Sequence, residues 1–118
     1  MQDNVIKEKS LAFAIRIVKL CKLLFEGKHE YVLSKQLLRS GTSIGANAHE
    51  ANNAQSTKDF LAKMYIALKE ATETEYWLKL LSLTDYIDKL QSDSILADCI
   101  ELKRILTAII KSMKSKRK

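Results

Sequence analysis

The sequence predicts an all-α protein, an antiparallel up-down-up-down four-helix bundle, and three observations carry that expectation. The 118 residues contain no proline and only three glycines, so very little in the chain is suited to breaking a helix. Four stretches show apolar residues recurring at the spacing of one helix face, at 5–26, 31–54, 57–83 and 92–115. The links between them are only two to eight residues long, which makes successive helices antiparallel neighbours. A hydrophobic fraction of 47% with 29% charged residues suits one globular domain with a substantial core.

The first helix, 5–26, has a line of Leu11, Ala14, Val18, Cys21 and Phe25, widened by Phe13, Ile17, Leu20 and Leu24 to about half the circumference. A bundle core needs less than that, so part of this face is expected to meet another subunit. Lys9, Arg16, Lys19 and Lys22 fill the remaining side with no acid among them. Gly27 is expected to end the helix.

The second helix, 31–54, is the most informative stretch. Leu33, Leu37, Ile44 and Ala51 make a narrow core line. Ser34, Gly41, Gly45 and Ala48 make a line of small residues on one flank, and Gln36, Arg39, Ser43, Asn47 and Glu50 make a polar ladder on the other. Glycine inside a helix costs about 1 kcal/mol relative to alanine. Close approach of another helix across Gly41 and Gly45 would offset that cost, as in small-xxx-small packing.

Ser56 is placed to cap the third helix, 57–83, with Asp59 in its first turn. Its seam of Phe60, Met64, Ala67, Ala71, Thr74, Leu78 and Leu81 repeats every seven residues. A second line of Ala62, Ile66, Glu73, Trp77 and Leu80 lies roughly opposite, as expected of a helix either central in its domain or shared with a partner. The fourth helix, 92–115, is expected to be capped by Ser92 or Ser94. Ile95, Cys99, Leu102, Leu106, Ile109 and Met113 form its stripe. A basic tail, 111–118, supplies Lys111, Lys114, Lys116, Arg117 and Lys118, five of the net +6 charges.

Catalytic and metal chemistry find little support. A di-iron bundle needs two Glu-x-x-His pairs, and the one here, Glu26 to His29, is interrupted by Gly27. The run after His49 lacks the second histidine of a zinc HExxH helix. Cys21 and Cys99 fall on apolar lines without a CxxC and read as buried free thiols. Glu70, Glu73 and Glu75 point in different directions round one helix and read as exposed or salt-bridged groups rather than paired catalytic carboxylates. No cofactor is expected. No apolar run spans a bilayer and the N-terminus has no signal-peptide core, so a cytoplasmic location is expected.

The polar ladder, Arg39, Ser43, Asn47 and Glu50, with Glu73 as a cross-helix partner for Arg39, reads better as an interhelical network fixing assembly than as a ligand site. Nucleic-acid contacts are assigned instead to Arg16, Lys19 and Lys22 and to the tail lysines and arginine, which can neutralise phosphates without reading sequence.

Three stretches, YVLSKQLLRSGTSIGANAHEA, STKDFLAKMYIALKEATETEYWL and ELKRILTAIIKSMK, resemble the four-helix-bundle proteins encoded in intervening sequences of bacterial 23S ribosomal RNA genes. That family is related to the accessory variability determinant of diversity-generating retroelements. The most specific matches are Gln36, Leu37, Arg39, Ser40, the SIGAN run ending at Asn47, Glu50, Asp59, Phe60, Ala67 and Glu73. The resemblance implies a homopentameric, barrel-like ring. For the retroelement members it also implies a basic surface that binds nucleic acid and a reverse transcriptase. Ala51 and the neutral residues 52–55 stand where many relatives have glycine and an aromatic or basic loop, so contacts are not assigned to that loop. Lys69 and Glu70 replace a common Gly-Ser. The expected function is a non-enzymatic homo-oligomer that binds RNA or DNA through basic surfaces; the alternative is a protein-interaction scaffold for a reverse transcriptase or ribosome-associated partner.

Overall fold

Four helices account for almost all of residues 2–117, the part of the chain that the structure, a computed structural model, describes. They are α1 (Gln2–Gly27), α2 (Val32–Ala51), α3 (Thr57–Leu83) and α4 (Lys89–Arg117). Each packs on its neighbour in the chain and α1 closes the cycle against α4, leaving α1 and α3 on one diagonal and α2 and α4 on the other. The result is an up-down-up-down bundle of 49 × 22 × 19 Å.

Several boundaries differ from expectation for local reasons. α2 stops at Ala51 rather than 54, because the N–H groups of Asn52, Asn53 and Ala54 turn back to the carbonyls of His49, Glu50 and Ala51 in tight i→i+3 contacts. α4 begins before Ser92, which is an interior helical residue and 1% exposed. Asp88 takes the capping role, its Oδ1 accepting from Gln91 N–H at 2.8 Å. At the end of α1 the left-handed residue is His29 (φ 54°), not Gly27, and Glu30 N–H reaches back to Leu24 O at 3.0 Å. Ser56 caps α3 as its position suggests, accepting from Asp59 N–H at 3.0 Å.

Glu30 organises the start of α2. Its carboxylate accepts from the N–H groups of Val32, Leu33 and Ser34 and from the Ser34 hydroxyl, the donors a helix N-terminus leaves unpaired. Burial pushes this carboxyl up, but the donors of Ser34, Leu33 and Val32 together outweigh it and hold the group below its ordinary 4.5. The contribution is therefore complete at neutral pH. It is lost as pH falls through the lowered folded value, where the unfolded chain binds more protons. Glu30→Gln is expected to flatten the decline in urea midpoint seen on acidification from roughly pH 5 downward.

The core confirms the lines on α3 and α4. Met64, Ala67, Ala71, Thr74, Leu78 and Leu81 are buried on α3, and Ile95, Cys99, Leu102, Leu106 and Ile109 on α4. On α1 the wide apolar face divides, as its width suggests. Phe13, Ile17, Leu20 and Leu24 enter the core with Ile6 and Cys21, whereas Leu11 and Val18 stay 54% and 49% exposed. The small-residue flank of α2 selects this rotation. A Cβ on Gly41 would lie 2.9 Å from both Ile17 Cγ1 and Ile17 Cγ2, and one on Gly45 would lie 3.3 Å from Ser10 Oγ. The helix that approaches these glycines is thus α1 of the same chain.

Both cysteines are buried and free. Each thiol donates to a backbone carbonyl, Cys21 to Ser34 O at 3.4 Å and Cys99 to Ala71 O at 3.3 Å. Burial, helped by the nearby charge of Glu30, pushes the Cys21 thiol up to about 12. Burial also raises Cys99 to about 12, with Glu75 adding to the rise and Lys103 opposing it. Since the thiolate is the reactive form, neither thiol is expected to react with an aromatic disulfide reagent at neutral pH until the protein is unfolded. Fast labelling of the native protein would contradict this placement.

Candidate nucleic-acid interface

The basic residues of α1 do not act as a single group. Arg16 donates from Nη1 to Asp98 Oδ2 at 2.7 Å and from Nη2 to Ser94 Oγ at 3.1 Å. Lys9 meets Glu101 at 3.2 Å. The acids come from α4, so the periodicity of α1 alone holds no sign of them. Lys19 and Lys22 are exposed and have no acid within ion-pair distance among the described residues. Lys22 also continues the exposed line of Leu11, Ile15 and Val18 at helical spacing.

The tail residues Lys111, Lys114 and Lys116 are exposed on the last turns of α4, which stays helical to Arg117. Only the backbone of Arg117 is described, and Lys118 lies outside the described residues. Lys111 is thirteen residues beyond the α4 position that Arg16 contacts, about 20 Å along the helix. The α1 and α4 basic groups therefore occupy opposite halves of the bundle.

A further basic group emerges where α3 meets α4. Tyr65, Lys69 and Tyr76 recur at spacings of four and seven along one outer line of α3, and all three are exposed. Arg104, Lys111 and Lys114 recur on α4 at spacings of seven and three, also exposed. The two lines face the same side of the seam. Lys114 Nζ lies 5.9 Å from the Tyr65 ring centroid, and lower down Lys103 meets Glu75 at 2.8 Å. Glu75 also takes Lys79 at 2.9 Å, so the hydrogen bonds and charges of two lysines hold its carboxyl below the ordinary range. Lys69, Arg104, Lys111 and Lys114 have no acid within ion-pair distance among the described residues. The four-and-seven spacing on α3 is visible in the sequence, but its alignment with α4 depends on the register of the bundle.

The polar ladder of α2 divides into separate pieces. Arg39 donates to Glu70 Oε1 at 3.2 Å and to Glu73 Oε2, and Glu73 Oε2 also accepts from Trp77 Nε1 at 3.0 Å. Asn47 turns inward along its own helix and donates to Ser43 O at 2.8 Å. Glu50 pairs with Lys63 at 3.2 Å. The Arg39 and Glu50 pairs are α2–α3 ties at a partly exposed edge, where an ion pair contributes about 0.2–1 kcal/mol. They do not form one continuous network. Glu70, Glu73 and Glu75 are salt-bridged as expected, Glu75 to Lys79 and to Lys103 of α4, but Glu70 and Glu73 converge on one cation, Arg39, rather than diverging. The neighbouring hydroxyls of Ser40 and Thr74 meet at 3.0 Å inside the α2–α3 contact.

The His side chains make local contacts, His29 Nδ1 with Tyr31 Oη at 3.0 Å and His49 Nδ1 with Gly45 O at 2.7 Å. Among the described residues no group of three His, Cys, Asp or Glu side chains could hold a metal ion, and no helix is long and apolar enough to cross a membrane. An open groove of about 1050 Å³ lies between the C-terminal end of α1 and the α3–α4 turn. Leu20, Leu24, Ile87 and Leu96 line it, and the exposed Leu23 and Leu83 border it.

The described residues define an all-α four-helix bundle with ion pairs across its α1–α4, α2–α3 and α3–α4 edges. Comparison with known proteins makes the assignment specific: residues 2–108 match the model of the 23S rRNA-intervening sequence protein family, and the chain belongs to that family. It is similar to a crystal structure of a protein of unknown function from the S23 ribosomal protein family of Bacteroides thetaiotaomicron. The two share 58% identity over 94% of this chain and 99% of that one, with a TM-score of 0.93. No curated protein matches the chain.

Proposed function

We propose that this protein is a non-enzymatic homo-oligomer, a homopentameric ring by family resemblance, that works in the cytoplasm and binds RNA or DNA through basic surfaces. One observation carries the reading: apolar side chains are left in solvent on two diagonally opposed helices. Leu11, Ile15 and Val18 stand 49–54% exposed on α1, and Ile66 stands 42% exposed on α3. Patches on different sides of one subunit suit a head-to-tail contact, which closes into a ring when the rotation per subunit permits. Each added copy repeats the basic groups and so raises the avidity for a polyanion.

Light scattering at micromolar concentration tests the assembly, and a monomer of 13.4 kDa would refute it. Titration with structured RNA tests the binding. Affinity should fall steeply with salt as counterions are released, and salt-independent binding or none would refute that part. The second reading, a scaffold for a protein partner, is favoured by the groove beside Leu23 and Leu83. A pull-down that survives nuclease treatment and disappears in Leu83→Glu would support it.

A further inference from the structure

The geometry points to the outer face of the α3–α4 seam as a binding track for single-stranded nucleic acid, with Tyr65 and Tyr76 as stacking platforms. This rests on the nucleic-acid reading above and moves its main site away from α1. Three features combine on this face.

The first is charge. Lys69, Arg104, Lys111 and Lys114 are exposed, belong to two adjacent helices, and have no acidic partner among the described residues. Arg16 and Lys9 on α1, by contrast, are occupied by Asp98 and Glu101. Between the two lines, Glu75 is already shared by Lys79 and Lys103, two cations on one anion, so it subtracts little from the positive field.

The second is aromatic exposure. Tyr65 is 45% and Tyr76 58% exposed, and both sit on the same outer line of α3. Each tyrosine ring combines an apolar face with a polar tip, and Tyr76 is held edge-on against Trp77, ring centroids 5.0 Å apart. They lie eleven residues apart, about 16 Å along the helix, with Lys69 between them. An alternation of cations and ring faces along a groove is the chemistry that holds single strands, where phosphates meet the cations and unpaired bases stack. Paired bases in a duplex present no such faces to a convex helical surface. The Lys114 ammonium near the Tyr65 ring sets a phosphate-binding charge beside a ring that is partly open to solvent.

The third is separation from the expected subunit contact. The exposed Ile66 lies one heptad before Glu73, which pairs with Arg39 of α2, and the α1 line lies on the helix diagonal to α3, so assembly through them is centred on the α2 side and leaves the α4 edge of this track open.

The test is fluorescence anisotropy of the full chain with a labelled single-stranded RNA, the same strand as DNA, and the corresponding duplexes, at several salt concentrations. Single strands of either sugar should bind at least about tenfold more tightly than duplex. Tyr65→Ala and Tyr76→Ala should each weaken single-strand binding by about tenfold, while Tyr76→Phe, which keeps the ring, binds as the native protein does. Lys69→Glu with Lys111→Glu should weaken binding and make the salt dependence shallower, by about 0.7 in the log–log slope for each phosphate no longer neutralised. All these side chains are exposed, and unchanged circular dichroism melting will show that the variants fold. If Lys19→Glu removes binding while the α3–α4 variants retain it, nucleic-acid binding stands and this track is wrong. Equal affinity for duplex and single strand also overturns it. If no nucleic acid binds even at low salt, the track and the broader reading fall together.

Discussion

Gly41→Ala is expected to destabilise the protein although alanine is the better helix former. The added methyl would gain about 1 kcal/mol of helix propensity. It would also lie 2.9 Å from two carbons of Ile17, closer than carbon atoms approach, and Ile17 is fully buried. A β-branched side chain in a packed core has no free rotamer to move into, so overpacking of about 1–3 kcal/mol outweighs the propensity gain. Gly41→Leu should cost about 3 kcal/mol or more on the same grounds. A double-mutant cycle tests the cause as well as the sign. With Ile17→Ala the obstructing carbons are gone, and Gly41→Ala should then become stabilising. Urea unfolding reports each corner of the cycle, and additive effects would show that Ile17 is not the obstacle. Gly45→Ala, with its nearest contact at 3.3 Å, should be close to neutral.

Val18→Glu is expected to abolish assembly without weakening the subunit fold. Val18 lies 49% in solvent on the subunit, where substitutions usually change stability by less than about 0.5 kcal/mol. In the proposed contact it becomes buried, and an unpaired carboxylate there would cost several kcal/mol. Ile66→Glu should do the same from the opposite side. A head-to-tail contact makes a sharper claim about mixtures. Each variant alone is monomeric, but Val18→Glu keeps an intact α3 patch and Ile66→Glu keeps an intact α1 patch. Mixing them should restore one interface and give heterodimers by light scattering. A contact between two α1 lines would instead leave Ile66→Glu dimeric on its own, with no heterodimer formed on mixing.

The four helices were legible because the apolar lines of α3 and α4 are largely the residues buried, and on α2 Leu37, Ile44 and Ala51 are buried together with the small residues beside them. α1 was ambiguous for a physical reason. Nine apolar residues spread over half its circumference give periodicity no way to choose between Leu11–Val18 and Phe13–Ile17–Leu24. That choice was made by Gly41 and Gly45 on another helix, which admit Ile17 and Ser10. The candidate site was less legible still. Arg16 looked like a free cation because its partner, Asp98, lies 82 residues away in the chain. Nothing in the sequence alone joins Tyr65 and Tyr76 to Arg104, Lys111 and Lys114, which come beside them only in the folded register. By contrast, the Arg39–Glu73 contact followed from the ladder facing α3, although the pieces at Asn47 and Glu50 are satisfied separately.

The seam between α1 and α4 has a consequence for the order in which the molecule forms. The other three helix pairs are hairpins closed by short turns, so they carry little loop entropy and are expected to form first. The α1–α4 seam joins Lys9 to Glu101 across 92 positions, and exposed ion pairs hold it above a small crevice at Phe13 and Leu102. It should therefore be the last seam to close and the first to open. Salt that screens those pairs should speed amide exchange on the facing sides of α1 and α4 while leaving the α2–α3 interface protected. The bundle would then behave as a three-hairpin sheet of helices that closes into a cylinder, with its hinge opposite the seam, along α2 and α3.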